Sequence, residues 1–182
     1  MSTKVEATIE DLLKVKQKAE IVNGEIILMS PTGSLPGYAA GEIFSSLRDY
    51  CKKYEYGRAA TDNNAFVVKL PHRKSFSPDA AFYVGTDSGM KFYQGAPVFA
   101  VEVRSEGDYG PRAEREMAAK RDDYFAAGTL VVWDVDLLTE NVARVYRANE
   151  VDPTIYRRGE IAEAEPAVPG WTMAVDDLFP EE

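Results

Sequence analysis

Asp79 lies in Ser77-Pro78-Asp79-Ala80-Ala81-Phe82-Tyr83-Val84 and Glu102 in Pro97-Val98-Phe99-Ala100-Val101-Glu102-Val103-Arg104, two apolar runs in which a carboxylate is out of place. An acid buried in such a run loses hydration and stays charged only against a cation, a metal ion or hydrogen-bond donors. Strand side chains alternate, so Asp79 shares a face with Ala81 and Tyr83, and Glu102 with Val98, Ala100 and Arg104. The alanines leave room beside each acid for an ion and a phosphate. Two strands of one sheet that bring these carboxylates together form the simplest site for a divalent ion such as Mg2+. The plainer reading, acids on the wet faces of amphipathic strands, stays open for each acid alone and weakens for the pair.

Scarcity removes other chemistries. The chain has one histidine, His72, so zinc sites rich in histidine and the histidine-metal nuclease motif have no residues to build them. No Gly-x-Ser-x-Gly elbow accompanies His72 for a serine hydrolase, and neither a phosphate loop nor a Gly-x-Gly-x-x-Gly fingerprint occurs. Carboxylate and metal chemistry remains.

These residues must be carried by a limited set of elements. A short helix is expected over Thr8 to Lys18, with Thr8 and Asp11 as a capping start. Asn23-Gly24 marks a hairpin between Ala19 to Val22 and Glu25 to Ser30. A long helix follows from about Pro36 to Tyr56, its apolar face made by Ala39, Ile43, Phe44, Leu47, Tyr50, Cys51 and Tyr54. Strands are expected near Arg58 to Thr61, Ala65 to Leu70, Pro78 to Val84 and Val98 to Arg104, the last two separated by a turn segment from Gly85 to Gly95. Pro111 to Ala127 reads as a helix with Pro111 in its first turn and Gly128 as its stop. On it, Lys120 borders the stripe of Ala113, Met117 and Tyr124, where its stem can be buried and its head can reach the sheet. An ordinary surface lysine is the alternative. Leu130 to Asp134 pairs with Val142 to Tyr146, and the tail adds strands near Ile161 and Trp171 to Ala174 with a final turn at Asp176 to Phe179. Asp134 is expected at a strand end, in a turn, and Trp133 and Trp171 in the core.

In order, Glu20 to Gly33, Ser77-Pro78-Asp79, Val101-Glu102-Val103-Arg104-Ser105, Lys120 to Gly128, Val132-Trp133-Asp134 and Pro169-Gly170-Trp171 with Leu178-Phe179 span nearly the whole chain. This ordered set resembles the Uma-two family of restriction endonucleases, a branch of the PD-(D/E)XK nuclease superfamily. The resemblance implies a restriction-endonuclease-like α/β fold, with a mixed β-sheet flanked by helices, an N-terminal hairpin and C-terminal strand additions. It also implies a metal-dependent endonuclease that hydrolyses phosphodiester bonds in DNA, works as a homodimer and takes Mg2+, with Mn2+ as a substitute. Asp79, Glu102 and Lys120 are then the catalytic residues. The metal ligands are Asp79, Glu102, the backbone of Val103 and, from the first long helix, Glu42. Arg104 stands where the superfamily places lysine. Arginine stays protonated and cannot act as a base, so it is expected to hold a substrate phosphate while the lysine comes from the next helix. Tyr38 stands where the family often has histidine.

At 182 residues and 45% hydrophobic content, the chain suits one domain, 1–182. No apolar run reaches the roughly 20 residues of a membrane helix. The start of the chain carries no secretory stretch, and the single Cys51 has no disulfide partner, so a cytoplasmic setting is expected. The formal charge of −9 opposes DNA binding, which depends on neutralising phosphates. Arg73, Lys74, Arg104, Arg112, Arg115, Lys120 and Arg121 are expected to form a basic rim that offsets it. The acidity, Arg104 and Tyr38 together keep open a second reading, a nuclease-like scaffold or binding module without catalysis. A glycosidase using the two acids is a distant third, for want of sugar-stacking aromatics nearby.

Overall fold

The structure, a computed structural model, describes residues 5–181. Its elements in chain order are α1 (Ile9–Leu12), β1 (Ala19–Val22), β2 (Glu25–Leu28), α2 (Ser34–Tyr54), β3 (Arg58–Ala60), β4 (Phe66–Val67), β5 (Ser75–Phe76), β6 (Ala80–Tyr83), β7 (Tyr93–Gln94), β8 (Phe99–Val103), α3 (Pro111–Ala126), β9 (Val131–Val135), β10 (Ala143–Arg147), β11 (Thr154–Tyr156), β12 (Ile161–Glu163) and β13 (Thr172–Ala174). A 3-10 turn, Val175–Leu178, closes the described chain.

The central sheet runs β11-β10-β9-β8-β6-β3. Only β8 and β9 are parallel, and α3 makes the crossover that parallel neighbours require. The other pairs are antiparallel, which makes the sheet mixed as expected. Alternation then sorts its side chains. One face presents Ala80, Phe82, Phe99, Val101, Trp133 and Val135 to the Ala39, Ile43 and Leu47 stripe of α2 and to the C-terminal segment around Trp171 and Leu178. The tryptophans are core: Phe99, Trp133 and Trp171 meet with centroids 5.3 to 5.6 Å apart. The opposite face presents Ala81, Tyr83, Ala100 and Val132 to Tyr124 of α3 and to Phe66 and Phe76 of a small sheet, β5-β4-β7.

Local signals are realised where the chemistry is strong. Asn23 and Gly24 both adopt positive φ, 51° and 73°, as a two-residue turn between twisted strands demands. Thr8 and Asp11 form a reciprocal capping box. The helix it starts is shorter than its sequence indicates, ending at Leu12 rather than Lys18. The chain released by this early stop carries Lys18 to Asp79 and Asp62. The segment expected to be only turn contains β7, which pairs parallel with β4, and Ala65 to Leu70 narrows to Phe66–Val67. Strands of two or three residues are too short for alternation to show in sequence.

Candidate active site

The sheet register brings the two acids together. Ala80 pairs with Val101 and Ala81 with Ala100, so the antiparallel ladder continued one step sets Asp79 opposite Glu102, on the face shared with Ala81 and Ala100. The Asp79 N–H donates to the Val101 carbonyl at 2.9 Å, and its Oδ2 accepts from the Val103 N–H at 2.7 Å. The backbone of β8 therefore fixes the Asp79 carboxylate beside Glu102.

Two lysines meet these acids, one on each. Lys120 Nζ lies 2.8 Å from Glu102 Oε1 and 2.9 Å from Glu20 Oε1. Tyr124, one helical turn further along α3, donates its hydroxyl to the same Glu102 Oε1 at 2.7 Å. Lys18 Nζ bridges Asp79 Oδ1 and Asp62 Oδ1, each at 2.6 Å. Glu20 also accepts from Arg73 at 2.7 Å and from the Ser77 N–H at 2.8 Å. Arg73 passes a second bond at 2.8 Å to Asp123, which His72 meets at 2.6 Å. The hairpin, α3 and two strands of the central sheet are thus locked by one ionic network.

The electrostatics follow from crowding. Burial raises the Glu102 carboxyl above its usual range, Lys120 opposes this, and Asp79 and Glu20 push it further up. Burial also acts to raise Glu20, but Lys120 and Arg73 outweigh it and hold that carboxyl low. Burial alone would lower Lys120; the two glutamates reverse this and raise it, so it remains an ammonium and can donate but not accept. Lys18 is raised against its burial in the same way by Asp79 and Glu102. Burial pushes the Tyr124 phenol far up, so it serves only as a neutral donor.

Access separates the carboxylates. The Glu20 side chain is 4% exposed and enclosed by its partners, whereas Glu102 is 22% and Asp79 14% exposed. A ligand entering from solvent can meet Asp79 and Glu102 but not Glu20. Both bonds to Glu102 fall on Oε1 and neither reaches Oε2. Among the described residues, no group of three or more His, Cys, Asp or Glu side chains forms a ready metal cage. The donor set nevertheless fits a hard divalent ion, because Mg2+ takes one or two carboxylates and keeps waters or phosphates in its other positions.

Two expected residues stand apart from this cluster. Arg104 spends all five N–H donors inside the protein. Nε and Nη2 bind the two oxygens of Asp134 at 2.8 and 2.7 Å, while Nη1 and Nη2 clasp Glu114 and Nη1 also reaches the Asp108 carbonyl. The expectation of a phosphate-holding Arg104 is corrected to a structural anchor that ties β8 to β9 and α3. Asp134 is likewise corrected: it lies buried within β9, not in a turn, because Arg104 supplies its countercharge. Glu42 departs too. α2 turns Gly37, Ala40, Gly41 and Phe44 toward the hollow beside Asp79. Glu42 instead sits near Tyr38, whose hydroxyl is raised by partial burial and by Glu42, Glu181 and Asp177 together. The basic rim is also thinner than expected. Arg73 and Arg104 are buried in ion pairs, Arg121 stacks 3.6 Å from the Tyr146 ring, and Arg112 is exposed but paired with Glu116.

Sequence reasoning missed Glu20, Lys18 and Tyr124 as members of the site, and placed Arg73 on an exposed rim rather than against Glu20. Glu20 carried a signal, as the acid of the alternating run Ala19-Glu20-Ile21-Val22. Lys18 carried none, because a lysine at a helix end reads as solvated.

The fold is a mixed α/β sheet with an acid pair where β6 and β8 meet and a lysine from the crossover helix beside it. The family model described as "Putative restriction endonuclease" matches residues 7–176, and the chain belongs to that family, the Uma-two family. A crystal structure described as that of a putative nuclease from Anabaena variabilis is similar in fold. Its TM-score is 0.74 at 17% identity, covering 95% of this chain and 97% of the other. No curated protein matches the chain. Membership of this family supports a nuclease function. No helix among the described residues is long and apolar enough to cross a membrane.

Proposed function

We propose that this protein is an endonuclease that hydrolyses phosphodiester bonds in DNA with a divalent ion, Mg2+ or Mn2+. The observation that carries the reading is the convergence of Lys120 on Glu102, which the extended β6–β8 ladder sets opposite Asp79 on the same sheet face. Asp79, Glu102 and the carbonyl of Val103 would hold the ion. When bound, it would lower the pKa of a water and offset charge on the scissile phosphate. Lys120, kept as an ammonium, would donate to that phosphate or to the attacking water as negative charge develops. Glu20 would hold Lys120 in place from behind, and Tyr124 would fix the orientation of Glu102. Lys18 would give up Asp79 to the incoming cation and keep Asp62.

Incubation of supercoiled, linear and single-stranded DNA with the purified protein and Mg2+ or Mn2+ tests this. Cleavage by wild type and none by Asp79→Ala is expected; intact DNA, with a known nuclease active in the same buffer, overturns it.

A second reading, a nuclease-like scaffold without catalysis, is favoured by one observation: each acid of the cluster already has a protein cation against it. Calorimetry separates the two readings, because a scaffold takes up no divalent ion.

We further take residues 1–182 as one domain, supported by the hydrophobic cluster that joins α2, the central sheet and the C-terminal segment. A homodimer, the assembly the family resemblance implies, would bring two such sites together. Light scattering showing a monomer at micromolar concentration counts against it. A cytoplasmic setting, where Cys51 stays reduced, accords with this reading.

A further inference from the structure

A half-open hollow of about 170 Å3 lies between the first turns of α2 and the Asp79 end of β6, and of its lining only Asp79 and Asp62 enter the chemistry above. Gly37, Ala40, Gly41 and Phe44, one stripe at helical spacing, form its helix wall. Thr32, Thr61, Asp62 and Asp79 complete the lining, and Lys18 bridges the two aspartates. The space exists because the helix shows so little side chain there: a Cβ placed on Gly41 would meet nothing within 4 Å.

Size, lining and position each restrict the occupant. An apolar cavity of roughly 150 Å3 holds one benzene ring, so this hollow takes one six-membered planar ring and not a stacked pair. Among the described residues the lining holds no cation that a phosphate could pair with, and Lys18 is already shared by the two aspartates, whereas an uncharged ring with polar edges can lie against the apolar wall and bond to threonine hydroxyls. Asp79 belongs both to the hollow and to the acid pair. A nucleotide whose phosphodiester lies at Asp79 and Glu102 therefore has its own base within reach of Phe44.

We propose that the hollow is a base subsite, which receives a single unstacked pyrimidine of the strand being cut and directs the enzyme to single-stranded or locally unpaired DNA. The proposal rests on the nuclease reading and specifies its substrate. Phe44 supplies the ring against which the base stacks, and the small residues of α2 admit the base edge-on.

Gly41→Met fills the hollow without opposing the helix, since methionine is the better helix former, and a thermal midpoint at or above that of wild type checks the fold. Anisotropy of a short fluorescein-labelled phosphorothioate oligothymidine, which resists hydrolysis, is expected to show about tenfold weaker binding to Gly41→Met. Phe44→Ala should weaken it similarly, and duplex of the same length should bind wild type and Gly41→Met alike. Wild type that cleaves DNA while both variants bind oligothymidine as tightly as wild type overturns the base subsite and leaves the nuclease reading standing. Wild type that neither binds nor cleaves any DNA overturns the nuclease reading, and the subsite with it.

Discussion

Lys120 Nζ stands 2.8 Å from Glu102 Oε1, an ion pair between the crossover helix and the strand it follows. The same ammonium holds Glu20 at 2.9 Å, so its removal leaves two carboxylates facing each other with less countercharge. Lys120→Ala is therefore expected to cost about 3 kcal/mol of stability as well as activity, because breaking a buried pair strands the remaining charge. Cleavage should fall roughly 100-fold or more, the scale of losing one donor to developing negative charge. Turnover measured well below the variant's thermal midpoint separates the two effects. A variant that keeps full activity at that temperature shows that Lys120 has no part in the reaction.

Lys18 competes with a metal for Asp79. Lys18→Ala is expected to bind Mn2+ about tenfold more tightly than wild type, since a positive charge 2.6 Å from the ligand oxygen is gone. Asp79→Ala should bind none. Calorimetric titration reads both directly, and unchanged affinity in Lys18→Ala would mean that the ion does not sit at Asp79 Oδ1.

Arg104 is expected to matter for folding before anything else. Arg104→Ala leaves Asp134 buried with only Arg144, 3.7 Å away, in partial compensation, and should lower unfolding free energy by about 3–5 kcal/mol in urea titrations. Pairing Arg104→Met with Asp134→Leu should recover most of the loss, because two apolar side chains leave no orphaned charge. If the double variant is as unstable as the single one, the ion pair is not the source of the effect.

Asp136 gives the chain an acid-sensitive anchor at the far end of β9. Burial would raise its carboxyl, but the Leu138 N–H, the Tyr109 hydroxyl, Thr139 and Arg144 together hold it below the ordinary 3.8. A carboxyl depressed by folding stabilises the native state above its unfolded pKa, and this contribution is lost as pH falls through the depressed folded value. The difference in thermal midpoint between wild type and Asp136→Asn should thus be constant from neutral pH down to about pH 5 and shrink below about pH 4. A difference independent of pH down to full protonation would show that charge on Asp136 contributes nothing.

The sequence by itself determined the α/β class, the hairpin at Asn23-Gly24 and the two apolar strands on which Asp79 and Glu102 are set. Each depends on local rules: turn chemistry, strand alternation, and an acid set among small residues in an apolar run. It also placed Lys120 on a helix face that could reach the sheet. The partners of these groups were decided only in the tertiary structure. Glu20 and Lys18 arrive from the N-terminal hairpin and its lead-in, far away in sequence, and their burial is tolerable only because opposite charges meet them there. Arg104 illustrates the limit from the other side. Its position beside Glu102 in sequence implied a phosphate contact, but Asp134 on β9 and Glu114 on α3 take its donors first. Which of several nearby charges an arginine pairs with depends on distances between elements, and these exist only once the chain has packed.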